Sequence, residues 1–391
     1  MLISFRFNNF CSFNVDSEFS MEAPTGKVKS RFPDNYISTD VDYDLLKTAV
    51  IVGENAGGKS NFIGGLKFLK SLFNSNSQVQ SIGAFVNASS LLTNPNPLQY
   101  FEVCFLGAKG HICKYVLAID ARGIVMECLY KQNKRKAVFS ELFLVERGDD
   151  ERYVQKGRKS KELSAALKNS NNSYGLFVSK LALLGNDDAI ETVDWFKNIL
   201  LPGAVPVDQE SNPAQKDEDV KVLNDPRFME IFRMVDYSIC GIEVDADKPY
   251  GKTLVIREDA DGNQIKRELG QDSTGVREFF AWAVQIFRVV YENRVVFADE
   301  MDRVLNPILS DRVIAFVNGM DHRGQFIFST HNVLHLNLKT YMKEQIYFIT
   351  KSKDSLTSEV YSLADFTEVR YETTKVYEFY MKGILGGTAF E

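Results

Sequence analysis

The residues whose types and spacing point most clearly to chemistry form a short glycine-rich stretch after the apolar run at residues 49–52. The stretch reads Gly53, Glu54, Asn55, Ala56, Gly57, Gly58, Lys59, Ser60 and Asn61. The spacing Gly-x4-Gly-Lys-Ser, between a predicted strand and a predicted helix, is typical of loops that bind nucleotide phosphates. Glycines let successive backbone N–H groups turn toward a phosphate at the positive end of a helix. A chance glycine turn is the alternative, and the flanking strand and helix weigh against it.

A phosphate loop needs an acidic metal partner and a base. In such a loop Lys59 would reach the β- and γ-phosphates, and Ser60 would hold Mg²⁺. The apolar run at residues 294–298 ends in Asp299 and Glu300. We expect Asp299 to act on Mg²⁺ and Glu300 to polarise the attacking water as general base. Such a pair alone is often a strand-end turn, so its meaning depends on the upstream loop.

A histidine follows the next apolar run. Residues 325–328 predict a strand, and Ser329 and Thr330 lead from it to His331. One helix-length of chain separates this strand from the Asp-Glu pair, which is where a histidine that senses the γ-phosphate is expected. The alternative is a structural histidine. The other histidines, His111, His322 and His335, receive no role.

A second anion-binding position is predicted near residues 270–277. Ser273 and Gly275 stand at the start of an apolar helix, where backbone N–H groups are free to bind an anion. An ordinary helix cap is the alternative, and the local sequence alone favours it because Ser and Asp are common caps.

The surrounding pattern predicts the elements that position these residues. Alternation predicts a first strand in residues 2–7, and one apolar face predicts a helix over residues 61–73. Three strands joined by short turns predict an antiparallel β meander, residues 74–98 predict a loop, and further strands are expected between residues 241 and 267. The predicted fold is α/β, a P-loop NTPase with a mixed sheet, the meander and a helical insertion. We divide it into an ATPase lobe at 1–150, a mainly helical arm or lid at 151–240, and the remaining ATPase segment at 241–391.

Composition narrows the class of protein. The chain has 391 residues, 45% of them hydrophobic, and a net charge of −6, which argues against general affinity for nucleic acid. Its five cysteines show no metal-ligand pairs, which favours reduced thiols in a reducing compartment. The amino terminus lacks a signal-peptide pattern, and no apolar run reaches bilayer length, so we expect a cytoplasmic protein.

Two basic clusters could contact DNA or a partner protein. The alternative, a solvated hairpin surface, is the more common meaning of such runs. The clusters consist of Lys131, Lys134, Arg135, Lys136, Lys156, Arg158, Lys159 and Lys161.

The order of phosphate loop, Ser-x-Gly segment, Asp-Glu strand and Ser-Thr-His segment resembles the ABC-type, SMC- and RecF-like ATPases. It is most similar to the compact AAA-type ATPases of bacterial abortive-infection and phage-defence operons. The resemblance implies ATP and Mg²⁺ as ligands and a head-to-head dimer, in which Ser273 and Gly275 of one subunit clamp the γ-phosphate held by Lys59 of the other. The similar segments are residues 3–13, 53–61, 272–277, 299–307, 329–332 and 377–390.

Two departures from that group stand out. The Ser-x-Gly segment, which corresponds to the signature segment of these ATPases, reads Asp-Ser-Thr-Gly-Val rather than the Leu-Ser-Gly-Gly of transporters. Asn306 stands where the group often has a histidine. The first puts the strength of the contacts between subunits in question, and the second concerns the dimer-contact loop. Gln99 or Glu102 is the nearest candidate for the glutamine loop.

The resemblance implies a sensor or scaffold subunit that controls a separate effector, such as a nuclease. Residues 332–391 are too few for an appended nuclease domain and carry no further acidic metal cluster. A RecF-like repair ATPase that binds duplex DNA is one alternative. A non-hydrolysing, ATP-dependent interaction module is another, and a transporter ATPase fits less well.

Overall fold

The computed structural model describes residues 1–73, 86–94, 96–132, 138–150, 152–157, 160–168, 175–202, 213–301 and 305–386. The strands are β1 Leu2–Asn8, β2 Ser17–Ser20, β3 Tyr36–Ile37, β4 Leu45–Leu46, β5 Thr48–Val52, β6 Gln99–Leu106, β7 Ile112–Asp120, β8 Gly123–Gln132, β9 Ser140–Arg147, β10 Tyr153–Lys156, β11 Ile239–Glu243, β12 Leu254–Glu258, β13 Gln264–Glu268, β14 Val295–Ala298, β15 Gln325–Thr330, β16 Ile346–Lys351 and β17 Ser358–Ser362. The helices are α1 Lys59–Leu72, α2 Ala88–Thr93, α3 Lys161–Lys168, α4 Phe177–Leu183, α5 Asp187–Asn198, α6 Pro213–Leu223, α7 Phe228–Phe232, α8 Thr274–Glu292, α9 Pro307–Gly319 and α10 Val376–Met381.

A five-stranded sheet carries the phosphate-loop strand. Its order is β14-β15-β5-β16-β17, with β17 antiparallel to four parallel strands. Ala49 and Ile51 of β5 face one apolar cluster, and Val50 and Val52 face another. Both faces are therefore covered, as parallel sheets require. The carboxyl ends of β5, β14 and β15 meet at one edge, which brings the segments that follow them together.

The predicted meander is confirmed and forms part of a larger antiparallel sheet. Its order is β10-β9-β8-β7-β6-β1-β2, so the predicted first strand joins the same sheet. This sheet packs over α1, where the Phe5 and Phe62 rings lie 5.8 Å apart. Helix α1 has the predicted apolar face but begins at Lys59, two residues earlier than expected.

A buried glutamine connects the two sheets. The Gln325 side chain accepts a hydrogen bond from Leu2 N at 2.6 Å, and donates to Leu2 O at 3.0 Å and Leu46 O at 3.2 Å. Leaving such buried groups unpaired would cost about 1–3 kcal/mol each. The amide therefore fixes the start of β15 against the first strand.

Helices dominate residues 161–232, as predicted, but they divide between two cores. Phe177 of α4 and Phe196 of α5 pack in the cluster under the seven-stranded sheet. Phe228 and Phe232 of α7 pack with α8 in the cluster on the other face of the parallel sheet. Strand β10 also belongs to the segment assigned to the insertion, and pairs with β9. The domain boundaries and the role as an arm or lid stay predictions.

The segment predicted as a loop at residues 74–98 holds α2 within its described part. The three strands expected between residues 241 and 267 are confirmed as a small antiparallel sheet, β11-β12-β13. Among the described residues, no helix combines the length and apolar character needed to cross a bilayer.

Candidate functional site

A cavity of about 140 Å³ opens at the shared carboxyl edge of β5, β14 and β15, and we call it the nucleotide cavity. It brings together residues from three of the segments predicted to carry chemistry. Its lining consists of Glu54, Asn55, Ala56, Gly58, Lys59, Ser60, Asn61, Glu300 and His331.

The glycines of the loop are required by close packing. A Cβ at Gly53 would lie 2.2 Å from the backbone oxygen of Ile349, and one at Gly57 would lie 3.0 Å from it. Gly58 has φ +119°, and a Cβ there would lie 2.5 Å from Ser358 Oγ. Side chains at these positions would force the loop out of shape, so the loop forms a cradle of backbone groups at the start of α1, as a phosphate site needs.

Lys59 is buried and held by the loop. Its Nζ donates to Gly53 O at 2.7 Å and Glu54 O at 2.8 Å. Burial lowers the pKa of the Lys59 ammonium to about 8, while the carboxylates of Glu300 and Asp299 act in the opposite direction. An anionic phosphate in the cavity would favour the charged form.

Asp299 and Glu300 follow β14 directly and are fixed by one hydroxyl. The Ser329 hydroxyl donates to Asp299 Oδ1 at 2.7 Å and accepts from Glu300 N at 2.9 Å. Glu300 has φ +52°, a left-handed conformation that is costly for a non-glycine residue. Asp299 is not among the residues that line the nucleotide cavity, whereas Glu300 is.

His331 lies between the lysine and the general-base candidate. Its Nδ1 is 3.4 Å from Lys59 Nζ, and its Nε2 is 3.7 Å from Glu300 Oε1. The three side chains therefore form a continuous polar row along one wall of the cavity. This row can donate hydrogen bonds to a phosphate and accept a proton from a water beside it.

Two serines that the sequence analysis gave no role support the loop from behind. Ser358 Oγ donates to Gly57 O at 2.7 Å and accepts from Ser12 Oγ at 2.7 Å. Asn61 Nδ2 donates to Ser12 Oγ at 2.9 Å. The sequence carried little signal for these contacts, because Ser358 is distant in the chain. Only Ser12 lies in one of the segments that carry the family resemblance, residues 3–13.

Ser273 and Gly275 are not among the residues that line the nucleotide cavity. Ser273 is exposed and caps α8, accepting a hydrogen bond from Val276 N at 3.4 Å. Within one chain this is the ordinary helix cap that the local sequence favoured. Asn306 likewise caps α9 and accepts from Leu309 N at 2.9 Å.

Neither candidate for the glutamine loop is among the residues that line the nucleotide cavity, and the position of that loop stays a prediction. Gln99 is fully buried, and its Nε2 donates to Asn9 O at 2.9 Å. Glu102 accepts a hydrogen bond from the Tyr100 hydroxyl at 2.6 Å. Both side chains serve the seven-stranded sheet.

The basic clusters are only partly described. Lys131 Nζ donates to Asp188 Oδ1 at 2.6 Å and its side chain is 16% exposed, so it is engaged within the chain rather than free for DNA. Lys156 and Lys161 are exposed. Five further members lie outside the described residues: Lys134, Arg135, Lys136, Arg158 and Lys159.

Solved structures that are similar to the chain include SMC head domains. The SMC head domain from Thermotoga maritima is 15% identical, with coverage of 92% of this chain and 98% of that one and a TM-score of 0.43. An SmcHead bound to the C-winged helix domain of ScpA is 13% identical, with coverage of 92% and 97% and a TM-score of 0.48. No curated protein matches the chain.

A family model described as "AAA domain, putative AbiEii toxin, Type IV TA system" matches residues 49–337. The match begins at the strand before the phosphate loop and continues past His331, so it spans every segment that contributes to the nucleotide cavity. It covers well over half of the 391 residues. The chain therefore belongs to this AAA family of the abortive-infection type.

Proposed function

We propose that the protein binds ATP with Mg²⁺ in the nucleotide cavity and hydrolyses it to ADP and phosphate. The observation that carries the proposal is the convergence of Lys59, Glu300 and His331 on one cavity, from three separate segments. If Lys59 were only structural, or Glu300 only part of a strand-end turn, there would be no reason for all three side chains to meet at one cavity.

The chain's own residues provide binding and proton transfer. The loop N–H groups and Lys59 would hold the β- and γ-phosphates, because the buried ammonium gains a partner that neutralises it. His331 would donate to the terminal phosphate. Glu300 would accept a proton from water near that phosphate, and its position is set by the bond from its backbone to Ser329.

The residues present fit a magnesium ion. The Ser60 hydroxyl lines the cavity, and the Asp299 carboxylate lies at the end of β14, beside Glu300. Hydroxyl and carboxylate oxygens suit Mg²⁺, which is usually bound by few protein ligands and by substrate phosphates. When bound, the ion would neutralise charge on the phosphates.

We further propose that two copies close on ATP, with Ser273 and Gly275 of one subunit contacting the γ-phosphate bound to the other. Ser273 is exposed and stands at the N-terminus of the 19-residue helix α8, the end of a helix at which an anion is favoured. The biological role that fits the family is a sensor or scaffold in an abortive-infection system that resists phage. A separate effector, such as a nuclease, would carry the toxic activity.

Glu300→Gln tests hydrolysis separately from binding. Loss of a general base lowers kcat by about 10²- to 10⁴-fold, while ATP affinity should stay within a few-fold of the parent. Glu372→Gln, on an exposed carboxylate paired with Arg31, is the matched control. If the parent shows no turnover but binds ATP, the non-hydrolysing module is favoured. Turnover unchanged in Glu300→Gln would remove Glu300 from its role.

The dimer and the biological role need their own tests. Sedimentation of the Glu300→Gln protein should show an ATP-dependent dimer, and Ser273→Arg should abolish it without changing ATP affinity in the monomer. In cells, Ser273→Arg should lose protection against phage if ATP-driven closure controls the effector. Retained protection in this variant would contradict the sensor role but not ATP hydrolysis.

A further inference from the structure

A second cluster of ligand-type side chains lies away from the nucleotide cavity. His111 and Cys113, two residues apart at the start of β7, face Glu191 of α5. One ligand atom from each of the three residues lies within 4.8 Å of the others. The alternation of a strand explains why His111 and Cys113 share a face. The sequence analysis gave His111 no role and looked for ligand pairs among the cysteines, so it missed a site with one cysteine whose third group comes from a distant helix.

Two buried polar atoms in this cluster have only each other as partners among the described residues. His111 Nε2 and Glu191 Oε2 are 2.8 Å apart, in side chains that are only 7% and 10% exposed. The two atoms pair with each other, and no other described residue gives either of them a hydrogen bond. A metal ion would bind both atoms at once, together with the Cys113 sulfur, which lies within 4.8 Å of a ligand atom of each of these two residues.

The surrounding chain is shaped to admit the carboxylate. A Cβ at Gly107 would lie 2.4 Å from Glu191 Oε1, so a larger residue there would displace it. The same Oε1 accepts a hydrogen bond from Lys109 N at 3.1 Å, which leaves Oε2 directed to the histidine. Glu191 also lines a cavity of about 790 Å³ beside α5, whereas His111 and Cys113 are not among its lining residues.

The charges favour a divalent cation. A thiolate from Cys113 and the carboxylate of Glu191 would balance the charge of a doubly charged ion, and the neutral imidazole of His111 would add no charge. The nearby Lys131 and Asp188 already neutralise each other in an ion pair. A bound ion would therefore leave no uncompensated charge in the interior, which would be costly.

We propose that His111, Cys113 and Glu191 bind a transition-metal ion of the Zn²⁺ type. Nitrogen, sulfur and oxygen ligands in one site suit Zn²⁺ and its substitute Co²⁺, and do not suit Mg²⁺ or Ca²⁺. The ion ties helix α5 to strand β7, and it is separate from the magnesium of the nucleotide site.

Cobalt binding tests the site without any need for ATPase activity. Chelator-treated full-length protein carrying Cys240→Ala, which removes the exposed thiol, is titrated with Co²⁺ in excess Mg²⁺. We expect one Co²⁺ per chain with a thiolate-to-cobalt absorption band, which the hydroxyl and carboxylate ligands at the nucleotide site cannot produce. Zn²⁺ should displace it and raise the Tm of the protein.

Cys113→Ser should abolish the band and weaken Co²⁺ binding about 100-fold, while leaving the contact of His111 with Glu191 in place. Cys128→Ser is the matched control, because Cys128 is equally buried on the neighbouring strand β8. Glu191→Gln, on the side open to solvent, should weaken binding if Cys113→Ser does not fold. A missing band in the parent, or a band that survives Cys113→Ser, would overturn the proposal and leave a buried ion pair.

Discussion

Ser329→Ala is the substitution that tests the arrangement of the catalytic edge most directly. Ser329 is fully buried, and its single hydroxyl holds both Asp299 and the backbone of Glu300. Alanine removes both bonds and touches neither the phosphate loop nor the carboxylates themselves. The expected defect is therefore in the orientation of Glu300 and not in the binding of ATP.

The size of the effect follows from the bonds. A hydrogen bond to a charged group contributes about 1.5–3 kcal/mol. The left-handed Glu300 conformation, which costs about 1–2 kcal/mol, would lose its anchor and relax. If about 2 kcal/mol of this is lost in the transition state, kcat falls about 30-fold, since each factor of ten corresponds to about 1.4 kcal/mol.

Steady-state phosphate release gives kcat and KM, and calorimetry gives ATP affinity. We expect KM and affinity to change less than about threefold, because binding energy from the loop is retained. Ser310→Ala is the control: Ser310 is equally buried, and its hydroxyl makes only a 3.4 Å contact with Asn306 O inside α9. A kcat within about threefold of the parent in Ser329→Ala, or a defect confined to KM, would refute the assigned geometry.

Three further substitutions or conditions have predicted outcomes. Gly58→Ala places a Cβ on a residue with φ +119° and 2.5 Å from a side-chain oxygen, so ATP affinity should fall about 100-fold. Gly26→Ala is the control, because Gly26 has φ +87° in open space, and it should leave ATP affinity unchanged. Burial lowers the pKa of Lys59 to about 8, and bound phosphate favours the ammonium, so ATP affinity should be constant below pH 8 and fall about tenfold per pH unit above it. Above pH 8, ATP binding should be accompanied by proton uptake. Affinity that is unchanged from pH 8 to 9.5 would exclude this role of the Lys59 ammonium. Asp219→Ala removes one partner of a buried ion pair, 2.6 Å from Arg288, and should lower the free energy of unfolding by about 3–5 kcal/mol in denaturant titrations. Asp225→Ala, at an exposed pair, should lower it by only about 0–1 kcal/mol. Equal losses in the two variants would contradict the burial argument.

The phosphate loop, the Asp-Glu strand and the strand before His331 could be predicted from sequence because each is a local pattern. A buried parallel strand shows as a short apolar run, and the glycines mark where backbone groups must approach a ligand. That Lys59, Glu300 and His331 meet also follows, since parallel strands in one sheet end at the same edge.

The supporting contacts could not be predicted, because they join residues that are distant in the chain. Ser358 supports Gly57, and Gln325 joins β15 to Leu2, through hydrogen bonds that leave no periodic signal. Glu127 is similar: its buried carboxylate accepts bonds from Phe177 N and Val178 N at the start of α4. These positions depend on how the sheets pack, which hydrophobic periodicity does not encode.

The outer side of the nucleotide cavity supports a role for a second subunit in hydrolysis. The His331 and Glu300 side chains remain 40% and 34% exposed, so bulk water reaches the groups proposed to sense phosphate and take the proton. Exclusion of water strengthens such electrostatic interactions, and a single chain leaves this side open. We therefore expect the specific ATPase rate to rise with protein concentration until the dimer is saturated, and Ser273→Arg to remove that dependence. A rate per chain that is constant from dilute to concentrated protein would show that one subunit suffices.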